Sequence, residues 1–380
     1  MSIPFHQPKL SNTELSYVTE CLNSGELAGD HRFTHRCHAL LKETYGNPVL
    51  LMHSCTAALE AAALLIGLVP GDEVIMPSFT FVSTANAAVL RGAIPVFVDI
   101  RPDTLNIDET LIEAAITPRT RAIFPVHYAG VGADMPRIVE LAAAHGLHVV
   151  EDAAQCFAAS YADRALGSFG DLGCLSFHET KNIVSGEGGA LIINNPEMID
   201  RAYYIREKGT NRTQFMRGEI PKYEWIDIGS SFLPSDILAA LLLAQLERAD
   251  ELTTRRREVW DRYQLAFRSL EEEGLVSQPR PTQEAAHNGH IYYLVGRDPM
   301  LTTAVLGRLK ADGIAATRHY VPLHSAPAGR LFGRTDHDLP VTDRVAATLI
   351  RLPLFSGISE QAVDRVIDRT LLHVRAAGAA

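Results

Sequence analysis

The sequence lacks the marks of several classes of protein. Its cysteines form no CxxC pair and no Cys/His metal spacing, so we expect neither a disulfide framework nor a structural zinc site. The longest apolar runs, such as "AAALLIGLV", are too short to span a bilayer, and the opening "MSIPFHQPKL" does not read as a signal peptide. These absences predict a cytoplasmic protein with no membrane partner. The five cysteines are Cys21, Cys37, Cys55, Cys156 and Cys174.

Positive charge is also in short supply. The chain has 35 Lys and Arg against 45 Asp and Glu, a formal net charge of -10. No concentrated basic face is visible, which argues against nucleic acid as a partner. The hydrophobic fraction of 47% and the charged fraction of 21% are typical of a soluble globular protein. At 380 residues we expect one large domain with a smaller companion.

Short apolar runs alternate with helical patterns over the first two-thirds of the chain. Runs such as "PVLLMHS", "DEVIMP", "IPVFVDI", "RAIFPVH" and "LHVVEDAA" read as strands, and "TAALEAAALLIGL", "DETLIEAAI" and "MPRIVELAAAHG" read as helices. This alternation predicts an α/β fold, with a mostly parallel sheet covered by helices on both faces.

The later part of the chain changes character. Residues 210–236 are rich in Gly, Pro, Tyr and Trp, and they predict a long loop with a function of its own. After it, "DILAALLLAQLERADELTTRRREVWDRYQLAF" predicts one long helix leading into a second domain. We therefore predict a large α/β domain over residues 1–245, including the N-terminal segment, and a small α+β domain over residues 246–380.

Three predicted strands end in residues with unusual chemistry. Ser54-Cys55-Thr56 precedes a helix and is either a cap or a phosphate site at the helix N-terminus. Asp152 is either a solvated or capping acid or a carboxylate that keeps a ring nitrogen protonated. Lys181 follows "CLSFH" and precedes the glycines of "SGEGG", so it is either a surface charge or a lysine beside a ligand. Ligands of such sheets bind beyond the carboxyl ends of the strands.

Taken together, these three strand ends favour one cofactor. A lysine for a Schiff base, a carboxylate for a pyridinium nitrogen and an anchor for a phosphate are what pyridoxal 5'-phosphate requires. Phe79 and Phe81 in "PSFTFVST" offer a flat face on which the pyridine ring could stack, although each taken alone is more typical of a core residue.

The chain resembles a known family over nearly its whole length. The motifs "SCTAAL", "PSFTFVSTANA", "VFVDI", "PVHYAG", "VVEDAAQ", "LSFHETKNIVSGEGGAL" and "RHYVPLH" occur in the order found in sugar-nucleotide aminotransferases. These are fold-type I pyridoxal phosphate enzymes, with an aspartate aminotransferase-like architecture. Within them, "FHETKNI", "REKGTNR" and "KYEWIDIGSSFLPSD" are most similar to the dTDP-4-amino-4,6-dideoxygalactose transaminases.

The resemblance assigns roles to particular residues. It makes Lys181 the catalytic Schiff-base lysine and Asp152 the partner of the pyridine nitrogen. It places Gln155 near the ring oxygen and Phe81 against the ring. The phosphate ligands would be Cys55, Thr56 and Ser176, and the substrate contacts would be His319 and Tyr320.

The resemblance also implies an assembly. Members of the family form an active site at the boundary of two subunits, so we expect a homodimer in which the 210–236 segment reaches the other subunit. Many members have a partner asparagine in a "GYN" stretch, whereas this chain has "GSS". Ser231 is therefore expected to replace that asparagine as a cofactor-binding residue.

The implied reaction moves an amino group from L-glutamate to a nucleotide-linked 4-keto-6-deoxysugar, converting dTDP-4-dehydro-6-deoxy-D-glucose into dTDP-4-amino-4,6-dideoxy-D-galactose. Aminotransferases acting on 3-keto sugars or on other 4-keto sugars, including GDP-linked ones, remain the alternatives. A nicotinamide oxidoreductase would need GxGxxG after its first strand, and a phosphoryl-transfer enzyme would need GxxxxGK[ST]. A sugar 3-dehydratase would carry histidine in place of Lys181. A non-catalytic pyridoxal phosphate-binding regulator would need a DNA-binding module, of which the sequence shows no sign.

Overall fold

A seven-stranded sheet organises the first half of the protein, whose computed structural model describes residues 2–379. The strand order is β1-β9-β8-β5-β4-β2-β3, and β9 alone runs antiparallel to the other six. These strands are β1 (Val49–Met52), β2 (Glu73–Pro77), β3 (Ile94–Val98), β4 (Thr120–Ile123), β5 (His148–Asp152), β8 (Leu172–Ser176) and β9 (Gly189–Ile193). The predicted mostly parallel sheet is confirmed.

The remaining strands form two smaller sheets. A three-stranded sheet of order β10-β12-β13 lies in the C-terminal part, and a second one of order β11-β6-β7 pairs residues near 160 with residues near 285. Their strands are β6 (Ser160–Tyr161), β7 (Arg164–Ala165), β10 (Val276–Ser277), β11 (Ala285–Ala286), β12 (Tyr292–Gly296) and β13 (Leu349–Leu352).

Fourteen α-helices surround these sheets in residues 2–379. They are α1 (Asn12–Ser24), α2 (Arg32–Tyr45), α3 (Cys55–Leu65), α4 (Val82–Val89), α5 (Met135–His145), α6 (Ile199–Arg206), α7 (Arg212–Met216), α8 (Asp236–Leu246), α9 (Ala249–Ala266), α10 (Arg268–Glu272), α11 (Pro299–Ala311), α12 (Pro327–Phe332), α13 (Pro340–Thr348) and α14 (Glu360–Gly378). Within the described chain, no helix combines the length and the apolar character that crossing a bilayer requires.

The large sheet is covered on both faces, as the apolar strands predict. Alternate residues of β1 show this, since Leu50 packs in a core with α3, α4 and α6, whereas Leu51 packs in another with α2 and α8. Helix α5 packs with β2, β3 and β4 in a further core. A separate core joins the small sheet to α9, α11 and α14, and Ile3 from the N-terminal segment is buried in it. The boundary at residues 245 and 246 remains a prediction.

Two predicted helices differ in the structure. The long helix from residue 236 is wrong as a single element, because α8 ends at Leu246 and α9 begins at Ala249. Helix α8 is apolar on most of its surface and packs in the core of the large sheet, whereas α9 packs in the core of the small one, so the break redirects the chain. The "DETLIEAAI" segment forms two 3-10 turns, Glu109–Leu111 and Glu113–Ala115, because it is too short before Pro118 for a stable α-helix.

The 210–236 segment is mostly irregular, with the short helix α7 inside it. Gly209, which directly precedes the segment and has a φ of 74°, anchors its backbone. The N–H groups of Ile226 and Asp227 both donate to the Gly209 carbonyl, at 2.7 and 3.0 Å. Several apolar side chains of this segment remain exposed nevertheless, and Trp225 is 82% exposed.

Candidate active site

A pocket of about 420 Å³ opens at the carboxyl ends of the parallel strands. Residues at or just after the ends of β1, β2, β4, β5 and β8 form most of its wall. His319 and Tyr320 close one side. This is the position at which ligands bind in open α/β sheets. The size suits a cofactor together with part of a substrate.

Nine of the ten predicted site residues line this pocket. They are Cys55, Thr56, Phe81, Asp152, Gln155, Ser176, Lys181, His319 and Tyr320. The tenth, Ser231, lies outside the pocket of its own chain, with an exposed side chain and a backbone bridge to Glu207. The roles of all ten remain predictions, because proximity alone does not show a contact with a ligand.

Lys181 lies in the turn between β8 and β9. Its N–H donates to the carbonyl of His178 at 2.9 Å, and Gly186, with a φ of 88°, lets the chain reverse toward β9. Within residues 2–379, no carboxylate lies in ion-pair distance of Nζ. Burial lowers the pKa of Lys181 from its ordinary value. At a given pH, a larger fraction of this amine is therefore neutral, and so nucleophilic, than of a surface lysine.

A buried amide network holds the backbone beside that lysine. Asn182 accepts a hydrogen bond from Nδ1 of His290 at 2.8 Å and donates to the carbonyl of Asn288 at 3.0 Å. Asn288 in turn donates to the carbonyls of Gln155 and Phe157, both at 2.8 Å. The network therefore links the turn of Lys181 to the end of β5.

Asp152 is buried at the end of β5 and faces the pocket. Thr84 Oγ1 donates to its Oδ2 at 2.7 Å, and the Ala154 N–H donates to its Oδ1 at 3.2 Å. Because the Thr84 hydrogen is used in this way, Thr80 is the donor in the 2.9 Å hydrogen bond between the two hydroxyls. The carboxylate is thus oriented by two donors and keeps acceptor capacity for a third.

Glu151 precedes Asp152 and points to the opposite face of β5. Its two oxygens accept from the N–H groups of Gly167, Phe169 and Gly170 at 2.8, 2.6 and 2.8 Å. The ring of His127 adds a 2.9 Å hydrogen bond from Nε2, since its Nδ1 accepts from Ala133. Glu151 is therefore saturated and structural.

The N-terminus of α3 lies on the pocket wall. Ser54 caps the helix by accepting from the Ala57 N–H at 3.0 Å, which confirms the cap; the phosphate site at this helix start stays a prediction. Thr56 and Ser83 hydroxyls lie 2.7 Å apart at the pocket edge. Gly189 packs against this turn so closely that a Cβ there would lie 2.4 Å from the Cys55 nitrogen. Free N–H groups and hydroxyls at a helix start suit a phosphate.

The thiol of Cys55 is held in its protonated form. It is buried, it donates to the carbonyl of Cys174 at 3.7 Å, and burial raises its pKa well above the ordinary value. Cys55 can therefore contribute its backbone and its volume to the phosphate end of the pocket, and not a thiolate.

The two phenylalanines of "PSFTFVST" separate in the structure. Phe81 is 56% exposed and lines the pocket, whereas Phe79 is 1% exposed and packs against Tyr128 with ring centroids 5.2 Å apart. Phe81 is therefore available to stack on a flat ring, and Phe79 belongs to the core.

An aromatic wall closes the pocket on the side of the small sheet. The rings of His319 and Tyr320 stack at 3.6 Å, and the hydroxyl of Tyr128 lies 2.8 Å from Nδ1 of His319. Gln155 donates to the Tyr320 hydroxyl at 2.9 Å because its own oxygen accepts from Ala129 at 2.6 Å. Burial lowers the pKa of His319 to about 2, so this ring is neutral near pH 7.

Sequence reasoning missed the residues that position these groups. Thr84 is 68 residues from Asp152 in sequence, and Tyr128 is 191 residues from His319. The 80/84 spacing of two threonines, one helical turn apart, was a signal for a hydroxyl pair near the start of α4, but nothing in it indicated the partner carboxylate.

Comparison with known proteins agrees with this geometry. A model of the DegT/DnrJ/EryC1/StrS aminotransferase family matches residues 8–370. A Bacillus subtilis protein named spore coat polysaccharide biosynthesis protein SpsC is 36% identical over 96% of this chain and 95% of its own length.

Two solved structures are similar over the full fold. The aminotransferase TlmJ from Streptoalloteichus hindustanus is 31% identical, with a TM-score of 0.90, over 99% of this chain and 100% of its own. A putative sugar aminotransferase, Spr1654 from Streptococcus pneumoniae, solved in its PMP-form, is 27% identical, with a TM-score of 0.91, over 100% of this chain and 99% of its own. This chain belongs to the DegT/DnrJ/EryC1/StrS aminotransferase family, and its fold is that of the fold-type I aminotransferases.

Proposed function

We propose that this aminotransferase transfers the amino group of L-glutamate to a nucleotide-linked 4-keto-6-deoxysugar, converting dTDP-4-dehydro-6-deoxy-D-glucose into dTDP-4-amino-4,6-dideoxy-D-galactose. One observation carries the proposal: the amine of Lys181, which has a depressed pKa and no ion pair within residues 2–379, shares one pocket with the oriented carboxylate of Asp152. An amine that can accept a proton, in the same pocket as a fixed negative charge, is the arrangement that transamination requires.

The cofactor is pyridoxal 5'-phosphate, and the pocket fits it. The start of α3, with Thr56 and Ser176 nearby, would hold the phosphate, and the exposed ring of Phe81 would cover one face of the pyridine. Asp152 would face the ring nitrogen. When bound, the cofactor supplies an aldehyde that exchanges its oxygen for an amino group and a ring that accepts an electron pair.

The residues of the chain have separate tasks in this chemistry. Nζ of Lys181, in its neutral form, would accept a proton from the carbon that carries the amino group of the donor. It would then give that proton to the carbon of the cofactor that receives the amino group. Asp152 would keep a proton on the ring nitrogen, because a buried anion favours the cationic form of a neighbouring base. Thr84 and Ala154 hold that carboxylate in place.

The acceptor is assigned from relatives and motifs. Spr1654 is named as a putative sugar aminotransferase, and SpsC is named for spore coat polysaccharide biosynthesis. These names support a sugar acceptor and a place in cell-surface polysaccharide biosynthesis for this protein. The dTDP and 4-keto assignments depend on the resemblance of "FHETKNI", "REKGTNR" and "KYEWIDIGSSFLPSD". We further propose a cytoplasmic homodimer, with Ser231 at the cofactor of the partner subunit.

One experiment tests the function. Protein loaded with pyridoxal phosphate is incubated with L-glutamate and a panel of dTDP-, GDP- and UDP-linked 3-keto and 4-keto sugars, and the products are identified by mass and NMR. We expect a 4-amino-4,6-dideoxygalactose product with the dTDP-4-keto sugar. A 3-amino product or a preference for GDP-linked sugars would replace that acceptor, and no turnover with any sugar would favour a non-catalytic role.

A further inference from the structure

The turn that carries Lys181 is anchored at the residue that follows the lysine. Glu179 and Thr180 before it are exposed, whereas Asn182 is 6% exposed. Within residues 2–379, no hydrogen bond or ion pair holds the amine of Lys181. The direction of this side chain therefore depends on how the turn itself is fixed.

A loop that precedes β12 supplies both hydrogen-bond partners of the Asn182 amide. Nδ1 of His290 lies 2.8 Å from Oδ1 of Asn182, and Nδ2 of Asn182 donates to the carbonyl of Asn288 at 3.0 Å. Because the amide oxygen can only accept, the imidazole proton is on Nδ1. Burial lowers the pKa of His290 well below its ordinary value, so the ring is neutral and Nδ1–H is its one N–H group.

The loop that carries this donor is itself fixed from two sides. Asn288 is fully buried, and its Nδ2 donates to two carbonyls just past the end of β5. Its Oδ1 accepts from the N–H of His290 at 3.0 Å. Arg256 in α9 donates to the carbonyls of Gly289 at 3.2 Å and of His290 at 2.7 Å. The imidazole is thus a fixed point against which the turn can be held.

We propose that His290 is a positioning residue for Lys181: its Nδ1–H bond to Asn182 holds the turn in the conformation that aims the amine at the aldehyde of the cofactor. This rests on the role of Lys181 in the proposed function. Neither His290 nor Asn182 lines the pocket, so both act through the lysine. A displacement of about 1 Å at a reacting group can cost about 100-fold in rate, so a single buried hydrogen bond behind the amine can matter.

The alternative is a purely structural role, in which the bond only satisfies two buried polar groups. Losing it would then lower stability by about 1–3 kcal/mol and weaken cofactor binding together with amine reactivity. A positioning role predicts instead that the amine reacts more slowly while the pocket still binds the cofactor normally.

Two isosteric variants distinguish these roles without removing a polar side chain from the core. The amide nitrogen of asparagine occupies the place of Nδ1, and that of glutamine the place of Nε2. His290→Asn therefore keeps the donor to Asn182, His290→Gln moves it, and His290→Leu removes it. The matched control is His287→Leu in the same loop. The His287 ring accepts from the Gly289 N–H at 3.2 Å and packs on Trp260, with ring centroids 4.1 Å apart.

Two measurements are made on the full-length protein after removal of the cofactor. Stopped-flow absorbance follows imine formation with pyridoxal 5'-phosphate, in which the amine adds to the aldehyde and one water leaves. Calorimetry measures the binding of pyridoxine 5'-phosphate, which has an alcohol in place of the aldehyde and cannot form an imine. The second ligand reports on the pocket alone, and the first reports on the pocket and the amine. Melting temperatures show that each variant is folded.

We expect His290→Gln and His290→Leu to slow imine formation by roughly tenfold or more, with pyridoxine 5'-phosphate binding within about twofold of that of the unmodified protein. His290→Asn and His287→Leu should both stay within about threefold of the normal rate. Combining His290→Leu with Asn182→Leu should slow the reaction no further than the slower single variant, because both changes remove the same hydrogen bond.

An unchanged rate in His290→Gln and His290→Leu would overturn the proposal. Equal slowing by His287→Leu, or a loss of pyridoxine 5'-phosphate binding as large as the loss of rate, would do the same in favour of a structural role. Borohydride mapping of each sample separates this failure from that of the proposed function. Attachment of the cofactor to another lysine would refute the role of Lys181 and this inference with it, whereas attachment to Lys181 at unchanged rates would refute the positioning role alone.

Discussion

The pocket and the 210–236 segment differ in how their side chains are held. In the pocket, Asp152, Gln155 and Tyr320 are each fixed by hydrogen bonds to residues of the same chain. In the segment the backbone is tied down, yet Trp225 is 82% exposed and Ile226 and Ile228 are about half exposed, at 51% and 50%. The pocket is thus organised within one chain, whereas the segment presents apolar surface that a partner would be expected to cover.

The largest expected effect is at the lysine of the pocket. Replacing Lys181 with alanine removes the group that takes and returns the proton, so kcat should fall by at least about 10⁴-fold. Steady-state turnover of the purified protein measures this, with circular dichroism to show that the fold is intact. Turnover within tenfold of the unmodified enzyme would remove Lys181 from the mechanism.

The two neighbouring carboxylates of β5 give the next largest effect and sharpen the contrast between a functional and a structural group. Asp152→Asn should lower kcat by about 100-fold or more with little change in melting temperature, because the ring nitrogen loses its anionic partner. Glu151→Gln should instead leave turnover per folded molecule nearly unchanged and lower stability. It places an NH₂ group against backbone N–H donors, which should cost about 1–3 kcal/mol of the free energy of unfolding.

Turnover per folded molecule and thermal melts distinguish the two carboxylates. If Asp152→Asn kept normal activity, or if Glu151→Gln lost activity without losing stability, the division between the two faces of β5 would be wrong.

A smaller effect is expected behind the carboxylate. Thr84→Val keeps the volume of the side chain and removes the 2.7 Å hydrogen bond to Asp152. A hydrogen bond to a charged group contributes about 1.5–3 kcal/mol, and the Ala154 N–H still orients the carboxylate, so kcat should fall by roughly tenfold, which corresponds to the lower end of that range. Thr80→Val, which removes only the donor to Thr84, is the matched control and should cost less. Equal losses in the two variants would contradict a direct role of the Thr84 hydroxyl.

The smallest signal tests the exposed segment. Lys181→Ala chains are mixed with Ser231→Asp chains, whose added carboxylate would repel a nearby phosphate. If Ser231 acts on the partner's site, each mixed dimer has one intact site, and about a quarter of all sites should become active after exchange. If the segment acts on its own chain, no activity returns. Ser230→Asp serves as the control, and subunit exchange is confirmed by mass spectrometry of differently tagged chains.

The sequence predicts the sheet well and the supporting contacts poorly, for a physical reason. Apolar strands and the residues at their carboxyl ends are local patterns, so Asp152 and Lys181 could be placed at one edge before the fold was known. Contacts such as Thr84 with Asp152, or Tyr128 with His319, depend on how distant segments pack, and no local pattern encodes them. The break between α8 and α9 was missed for the same reason, because the two helices pack in different hydrophobic cores.

Reduction with borohydride tests the central claim most directly, because it fixes an imine between the cofactor aldehyde and an amine as a stable bond. The protein is loaded with pyridoxal phosphate, reduced, digested and mapped by mass spectrometry. The account predicts that the cofactor is attached to the peptide containing Lys181 and that Lys181→Ala protein carries no label. Attachment to Lys208 or Lys222 in the unmodified protein would contradict it.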